Sequence, residues 1–227
     1  MRSETDGARS RGSAGGSSPA RRRFLARLQQ GGIRDPRVLG AFASIDRELF
    51  VPDALRHRAY QDTPLPIGEG QTISAPDIVA QMSQALELDG SETVLEIGTG
   101  SAYQAAILSR LAGRVISIER VPRLAAAARR TLDACKVWNV VVHLGDGTQG
   151  RPQDGPYEAI VVTAGGPTLP EPLLHQLAPG GRLVGPFGER GAQRLVRVRR
   201  DASGRFSREV LGACRFVDLI GEHGWSA

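Results

Sequence analysis

From residue 93 onward, short apolar runs alternate with stretches whose apolar residues recur at helical spacing. Runs typical of buried strands lie at 93–97, 115–118, 140–142, 159–162 and 182–184. Helical spacing is found at 103–111, 124–135 and 173–177. Alternating elements of these lengths predict a doubly wound, Rossmann-like α/β fold, with a mainly parallel sheet and helices on both faces.

The segments on either side of this alternation have other patterns. Short helical patterns lie at 24–28, 36–45 and 78–88, and turn-forming residues fill 60–70, which predicts a loop. Two late strand patterns lie at 195–199 and 215–219. We expect the N-terminal helices to cover the edge of the sheet at which a ligand binds.

The composition departs from that of an ordinary globular protein only at the N-terminus. The 227 residues are 41% hydrophobic, which is ordinary for a globular protein, and we predict a single domain over residues 24–227. Residues 1–23 hold six arginines, two acidic residues and almost no apolar side chain, so we predict a disordered tail there. Because the tail holds most of the formal charge of +5, the remainder is nearly neutral and a nucleic-acid partner is not expected.

Several other classes of protein are not indicated. No apolar stretch approaches the length of a membrane helix, and the arginines at 21–23 are not followed by the apolar region of an export signal. Neither the histidines nor Cys135 and Cys214 have metal-ligand spacing. We therefore expect a cytoplasmic protein, a monomer, that binds neither a metal nor a membrane.

The strongest candidate for a ligand site follows the strand at 93–97. Gly98 and Gly100 permit a tight turn and a close approach of a ligand to the backbone, and Ser101 offers a donor at the start of the next helix. A G-x-G loop is equally compatible with a plain strand-to-helix connection. The glycine pattern by itself leaves both interpretations open.

Acidic residues near this loop favour a cofactor. Glu119 closes the second strand, where a carboxylate can accept hydrogen bonds from both hydroxyls of a ribose. Tyr103 stands where a dinucleotide-binding loop would have a third glycine, and Glu96 would bring negative charge to the loop. Negative charge suits the sulfonium and ammonium groups of S-adenosylmethionine better than a pyrophosphate.

Asp146 lies between Gly145 and Gly147 after the third strand. Its carboxylate could accept a hydrogen bond from the amino group of adenine. A β-turn explains the same three residues, since Asp and Gly are both favoured in turns. The position after a strand of the series favours the cofactor interpretation.

A set of short motifs runs through the chain at 50–52, 59–62, 65–68, 70–74, 94–101, 117–120 and 145–147. One motif, G-x-G-Q-T-I-S-x-P at 68–76, is specific, whereas many methyltransferases share the loop at 94–101. On these motifs the chain, from about residue 47 to residue 219, resembles the protein-L-isoaspartate O-methyltransferase family. The positions that depart from the usual pattern of this family are Asp77, Ala102, Gly165, Gly166 and Asp218.

The resemblance implies a class I methyltransferase fold and a repair function. Such an enzyme transfers a methyl group from S-adenosylmethionine to the α-carboxylate of L-isoaspartyl residues in damaged proteins, with D-aspartyl residues as a second candidate acceptor. The resemblance further implies that Ser74 is the catalytic residue near the acceptor carboxylate. The residues implied to surround S-adenosylmethionine are Gly70, Gln71, Thr72, Ile73, Glu96, Gly98, Gly100, Ser101, Glu119, Arg120, Asp146 and Gly147.

Ser74 has a second interpretation, as the N-cap of the helix at 78–88, and a cap would also fix where its hydroxyl lies. An isoaspartyl carboxylate is already ionised at neutral pH, so methyl transfer needs no general base. The tasks left to the protein are positioning and exclusion of water. We expect the loop at 60–70 to close over the acceptor.

Two other functions fit part of the pattern. An RNA or other small-acceptor methyltransferase could use the basic tail for phosphate contacts. Amino-directed nucleic-acid methyltransferases, however, usually have an Asp- or Asn-Pro-Pro-aromatic segment where this chain has Thr-Ala-Gly-Gly-Pro at 163–167. The non-enzymatic alternative is a partner-binding module that holds the cofactor without turnover, which the departures at Asp77 and Asp218 keep open.

Overall fold

The computed structural model describes residues 18–226. Its helices are α1 (Pro19–Gln30), α2 (Pro36–Ser44), α3 (Pro76–Ala85), α4 (Tyr103–Leu108), α5 (Pro122–Ala134) and α6 (Glu171–His175). Its strands are β1 (Leu65–Gly68), β2 (Gln71–Ile73), β3 (Thr93–Ile97), β4 (Arg114–Glu119), β5 (Val140–Leu144), β6 (Tyr157–Val162), β7 (Leu177–Glu189), β8 (Ala192–Arg200) and β9 (Phe206–Cys214).

A seven-stranded sheet in the order β5-β4-β3-β6-β7-β8-β9 forms the centre of the molecule. The pairs from β5 to β7 are parallel, and β8 and β9 add an antiparallel extension. Neighbouring residues of β3 face opposite sides of the sheet, since Val94 packs in the cluster beneath α1 to α5 and Leu95 in the cluster beneath α6. The prediction of a doubly wound, mainly parallel sheet is confirmed.

The first helix begins earlier than the sequence predicts. Pro19–Gln30 is helical, so residues 19–23 are not part of a disordered tail, and the rest of that prediction falls on residues 1–17, outside the described part of the chain. The Ser18 hydroxyl accepts from the Arg21 amide at 3.2 Å, and Arg21 also bonds to the Ala43 carbonyl. The composition of 1–23 does not reveal a partner as distant as Ala43, which is why the predicted tail extends too far along the chain.

Two other segments differ from the prediction. The expected loop at 60–70 contains strand β1, which forms a two-stranded hairpin with β2, and the turn between the two strands uses left-handed backbone at Glu69 and Gly70. The expected strand at 215–219 is wrong, since only Asp218 makes an isolated bridge, to Gly165. The last strand is Phe206–Cys214 instead, which was missed because most of its residues are exposed and show no alternation of buried and exposed positions.

Two negative findings apply to residues 18–226. No helix there is long and apolar enough to cross a bilayer. The same residues hold no cluster of three or more His, Cys, Asp or Glu side chains that could bind a metal ion.

Candidate active site

A cleft of about 860 Å³, including its solvent-open mouth, lies at the carboxyl ends of β3, β4 and β6. The chain leaves β3 toward β4 on one side and later returns to add β6 on the other, and ligands bind at such a switch point in open α/β sheets. Stretches at 71–74, 97–101, 118–121, 163–164 and 217–220 form most of its wall, with Val79, Met82, Tyr103, Gln104 and Gly147.

The loop after β3 has a backbone that requires glycine. Gly98 has φ 96° and Gly100 has φ 51°, in the left-handed region. A Cβ atom at Gly98 would lie 2.5 Å from the Thr163 hydroxyl, so the Thr163 side chain leaves no room for a side chain at position 98. Ala102, a departure from the family pattern, also has a positive φ of 70°. The loop therefore presents bare backbone to the cleft.

Glu119 is fastened to this loop. Its Oε2 accepts from the Gly100 amide at 2.8 Å, and its Oε1 accepts from the Val121 amide at 2.9 Å. Each carboxylate oxygen has a second lone pair, so the group can still accept hydrogen bonds from a pair of hydroxyls. Glu119 is only 6% exposed and lines the cleft, which is the position predicted for a ribose partner.

Glu96 lies beneath the loop and not in the wall of the cleft. It is fully buried, and the Ser117 hydroxyl donates to its Oε2 at 2.5 Å while also bonding to Thr99. Its Oε1 has no partner within residues 18–226. Burial raises the pKa of Glu96 to about 8, the Ser117 hydrogen bond opposes this, and the charge of Glu119 adds to it.

The Asp146 carboxylate faces the C-terminal segment and does not line the cleft. It accepts from the Thr148 amide at 2.8 Å and from the Glu222 amide at 2.8 Å. Burial acts to raise its pKa, but these hydrogen bonds outweigh burial and lower it. The neighbouring Gly147 does line the cleft, and a Cβ atom there would collide with Cγ2 of Ile97. Asp146 therefore anchors the segment that contributes residues 217–220 to the wall.

Ser74 lines the same cleft as Glu119, but it is not a helix cap. The N-cap of α3 is Ala75, without a side-chain hydrogen bond, because Pro76 occupies the first helical position. The capping interpretation is therefore wrong. The Ser74 hydroxyl has no hydrogen-bond partner in the described part of the chain, whereas its carbonyl accepts from Arg47 Nη2 at 2.8 Å.

Most of the predicted site residues meet in this one cleft. Those in its wall are Gln71, Thr72, Ile73, Ser74, Gly98, Gly100, Ser101, Glu119, Arg120 and Gly147. Gly70, Glu96 and Asp146 are not in the wall. The contribution of residues 217–220 was missed, although their Val, Leu and Ile side chains were visible as an apolar run, because the run was interpreted as a strand.

Two departures from the family pattern have charged partners. Asp77 pairs with Arg27, with Nη2 and Oδ1 at 3.0 Å. Asp218 pairs with Arg190, with Nε and Oδ2 at 2.9 Å, and the Arg190 guanidinium lies 4.6 Å from the centre of the Trp225 ring. Neither substitution therefore leaves an unpaired carboxylate beside the cleft.

Comparison with known proteins agrees with the geometry. The family model for protein-L-isoaspartate(D-aspartate) O-methyltransferase matches residues 20–224. A protein-L-isoaspartate O-methyltransferase of Syntrophus aciditrophicus is 55% identical over 197 residues, which are 86% of this chain and 90% of the relative. The protein of that name from Trichlorobacter lovleyi is 53% identical over 207 residues, 91% of this chain and 95% of the relative.

Solved structures extend the comparison to the fold. A protein-L-isoaspartate O-methyltransferase superposes with a TM-score of 0.79 at 29% identity, covering 90% of this chain and 67% of that one. A Plasmodium falciparum chain of the same family name, solved in complex with S-adenosyl-L-homocysteine, superposes with a TM-score of 0.77 at 25% identity, covering 88% and 98%. On the matched residues and these likenesses, the chain belongs to the protein-L-isoaspartate(D-aspartate) O-methyltransferase family.

Proposed function

We propose that this protein is an S-adenosylmethionine-dependent methyltransferase that esterifies the free α-carboxylate of L-isoaspartyl residues, with D-aspartyl residues as a second acceptor. The observation that carries the proposal is that the glycine loop, Glu119 and Ser74 all line one cleft. Membership of the family supports the same activity. Methylation of such residues in damaged proteins begins their repair.

The residues of the cleft fit the cofactor. Glu119 would accept from the ribose hydroxyls, and the backbone at Gly98, Gly100 and Ser101 would lie against the methionine part. The Oε1 of Glu96 has no partner among the described residues, and burial raises the pKa of this carboxyl group to about 8. A cationic ligand in the cleft above would favour the ionised form, so the unpartnered oxygen supports a cofactor that carries positive charge. When bound, S-adenosylmethionine supplies the electrophilic methyl group.

The remaining proposed cofactor contacts come from the two sides of the cleft. Gln71, Thr72, Ile73, Arg120 and Gly147 line it and would enclose the cofactor. Gly70 and Asp146 would act from behind the wall, by shaping the turn before β2 and by holding the C-terminal segment.

Ser74 would bind the acceptor. Its hydroxyl lines the cleft and is free to donate to a carboxylate oxygen of the isoaspartyl residue. Because that carboxylate is already charged at neutral pH, the chain supplies no base and orients the oxygen instead. Apolar side chains around it, such as Val79, Met82 and Leu219, exclude water from the reacting atoms.

A methyl-transfer assay tests the proposal. The purified protein, with radiolabelled S-adenosylmethionine, is offered an isoaspartyl peptide, its aspartyl isomer, a D-aspartyl peptide and a structured RNA. We expect incorporation into the isoaspartyl peptide and none into the aspartyl isomer. Labelling of RNA alone would favour the nucleic-acid alternative, and cofactor binding without turnover would favour a partner-binding module.

We also propose a cytoplasmic location and a monomeric state. The free thiols of Cys135 and Cys214 are compatible with a reducing compartment. Light scattering coupled to size-exclusion chromatography would test the monomer, and fractionation of cells would test the location.

A further inference from the structure

We propose that Arg27 and Arg47 are positioning residues that clamp the chain at 59–60 to the chain at 74–77, and that this clamp sets the affinity for the acceptor carboxylate. The inference rests on the proposed function. Neither arginine lines the cleft, so each acts through the backbone or side chains that it holds.

Arg47 forms the inner half of the clamp. Its side chain is fully buried, its Nε donates to the Ala59 carbonyl at 2.7 Å, and its Nη2 donates to the Ser74 carbonyl at 2.8 Å. The guanidinium lies 4.7 Å from the centre of the Tyr103 ring, another residue of the cleft wall. Nη1 has no partner among residues 18–226. The Arg47 guanidinium therefore donates to backbone carbonyls without an acidic partner in the described part of the chain, close to the backbone of Ser74.

Arg27 forms the outer half of the clamp. Its Nη2 and Nε bind the Asp77 carboxylate at 3.0 and 3.1 Å, a two-pronged geometry, and its Nη1 donates to the Tyr60 carbonyl at 3.2 Å. Tyr60 is held from a second direction, since its hydroxyl donates to Asp46 at 2.6 Å and Phe24 packs on its ring at 5.5 Å. Helix α1 thereby joins the same two segments that Arg47 joins from inside.

The clamp acts on the side chain of Ser74, the proposed catalytic residue. The Ser74 hydroxyl makes no hydrogen bond in the described structure, so its position depends on the backbone at 74–77, which the two arginines hold. Charge adds to this effect. Arg27 neutralises Asp77, and without it the Asp77 carboxylate, with Asp62 close by, would repel the carboxylate of the acceptor.

A reversal by a second substitution distinguishes this role from a loss of stability. Arg27→Ala should raise the KM for an isoaspartyl peptide on the order of tenfold, the effect of losing a charged hydrogen-bonded pair. Asp77→Asn in the same chain should restore part of that loss, because it removes the uncompensated charge. Arg47→Lys, which keeps the charge but cannot bind both carbonyls, should also raise this KM.

The Kd for S-adenosyl-L-homocysteine, measured by calorimetry, should stay within about twofold in every variant, below what one lost hydrogen bond would cause. Arg37→Ala is the matched control, because Arg37 donates to the Leu88 carbonyl at 2.8 Å away from the cleft. Three results would contradict the proposed clamp: an unchanged peptide KM in Arg27→Ala, a parallel loss of affinity for S-adenosyl-L-homocysteine, or an equal rise of the peptide KM in Arg37→Ala. Should Arg47→Lys fail to fold, the partly exposed pair of Arg27 and Asp77 still provides the test. A wild-type protein inactive on isoaspartyl peptides would refute the proposed function instead.

Discussion

The Glu119 carboxylate and the Gly100 amide are hydrogen-bonded at 2.8 Å, so the end of β4 fixes the loop that follows β3. The same carboxylate is the proposed partner of the ribose. The carboxylate that holds the loop in place is therefore also the group that would bind the ribose. A substitution of Glu119 should disturb both the loop and the ribose contact.

Glu119→Gln should weaken binding of S-adenosyl-L-homocysteine about 10- to 100-fold, since an amide nitrogen would face a backbone N–H and a charged acceptor is lost. Isothermal calorimetry measures the change. Glu158→Gln is the control, because Glu158 accepts from the Thr93 amide at 2.8 Å at the far end of β3. Equal affinities for wild type and Glu119→Gln would remove Glu119 from the cofactor site.

Ser74→Ala should lower kcat/KM for an isoaspartyl peptide by roughly tenfold or more, the effect of one hydrogen bond to a charged group. Its melting temperature should match wild type, because Ala75 and not Ser74 is the N-cap of α3. Ser203→Ala is the control, because it removes a serine hydroxyl from an exposed turn that does not line the cleft. Full activity in Ser74→Ala, or a fall in Tm that explains the loss, would contradict the assignment.

Glu96 makes the cofactor-free protein sensitive to alkali. Its pKa is raised from 4.5 to about 8 by burial, so the folded state keeps a proton that the unfolded chain releases. The stabilising effect is complete below the unfolded pKa and is lost as pH rises through the folded one. Thermal unfolding between pH 5 and 9 should show a steeper fall for wild type than for Glu96→Gln. Parallel curves would show that Glu96 is ionised in the free protein.

Asp146→Ala should release the C-terminal segment from the cleft. Losing the bonds from Thr148 and Glu222 should cost about 1–3 kcal/mol and weaken cofactor binding, because residues 217–220 form part of the wall. Hydrogen exchange should report faster exchange of the Glu222 amide. Asp201→Ala is the matched control, since Asp201 accepts from the Ser203 amide at 2.8 Å in an exposed turn. If the Glu222 amide stays protected in Asp146→Ala, the anchor is elsewhere.

The parts of the fold that depend on local pattern could be predicted from the sequence. The strand at 93–97 and the helix at Pro122–Ala134 have apolar residues at the period of their element, and both were placed correctly to within a few residues. β9 could not be found in this way, because an exposed edge strand buries neither face and carries no alternation. The strand predicted at 215–219 was wrong for the opposite reason. Leu219 is apolar and buried in the core, but it does not belong to a strand.

The same distinction holds in the cleft. Gly98, Gly100 and Glu119 could be predicted because the ends of neighbouring parallel strands meet at one edge of the sheet. Arg27 and Arg47 could not, since their partners lie up to 50 residues away and are mostly backbone carbonyls, which no side-chain motif marks. The orientation of Asp146 likewise depends on the Glu222 amide, 76 residues further along the chain.

The wall at 217–220 has a consequence for the order in which the site comes into being. A ribosome makes the glycine loop, Glu119 and Ser74 long before it reaches Val217, so the nascent polypeptide carries every recognisable motif while its cofactor chamber is still open on one side. The cleft that would hold the methyl donor is thus completed only after residues 217–220 have been made. A protease that cut just before residue 217 would open this side of the cleft while leaving every one of these motifs intact.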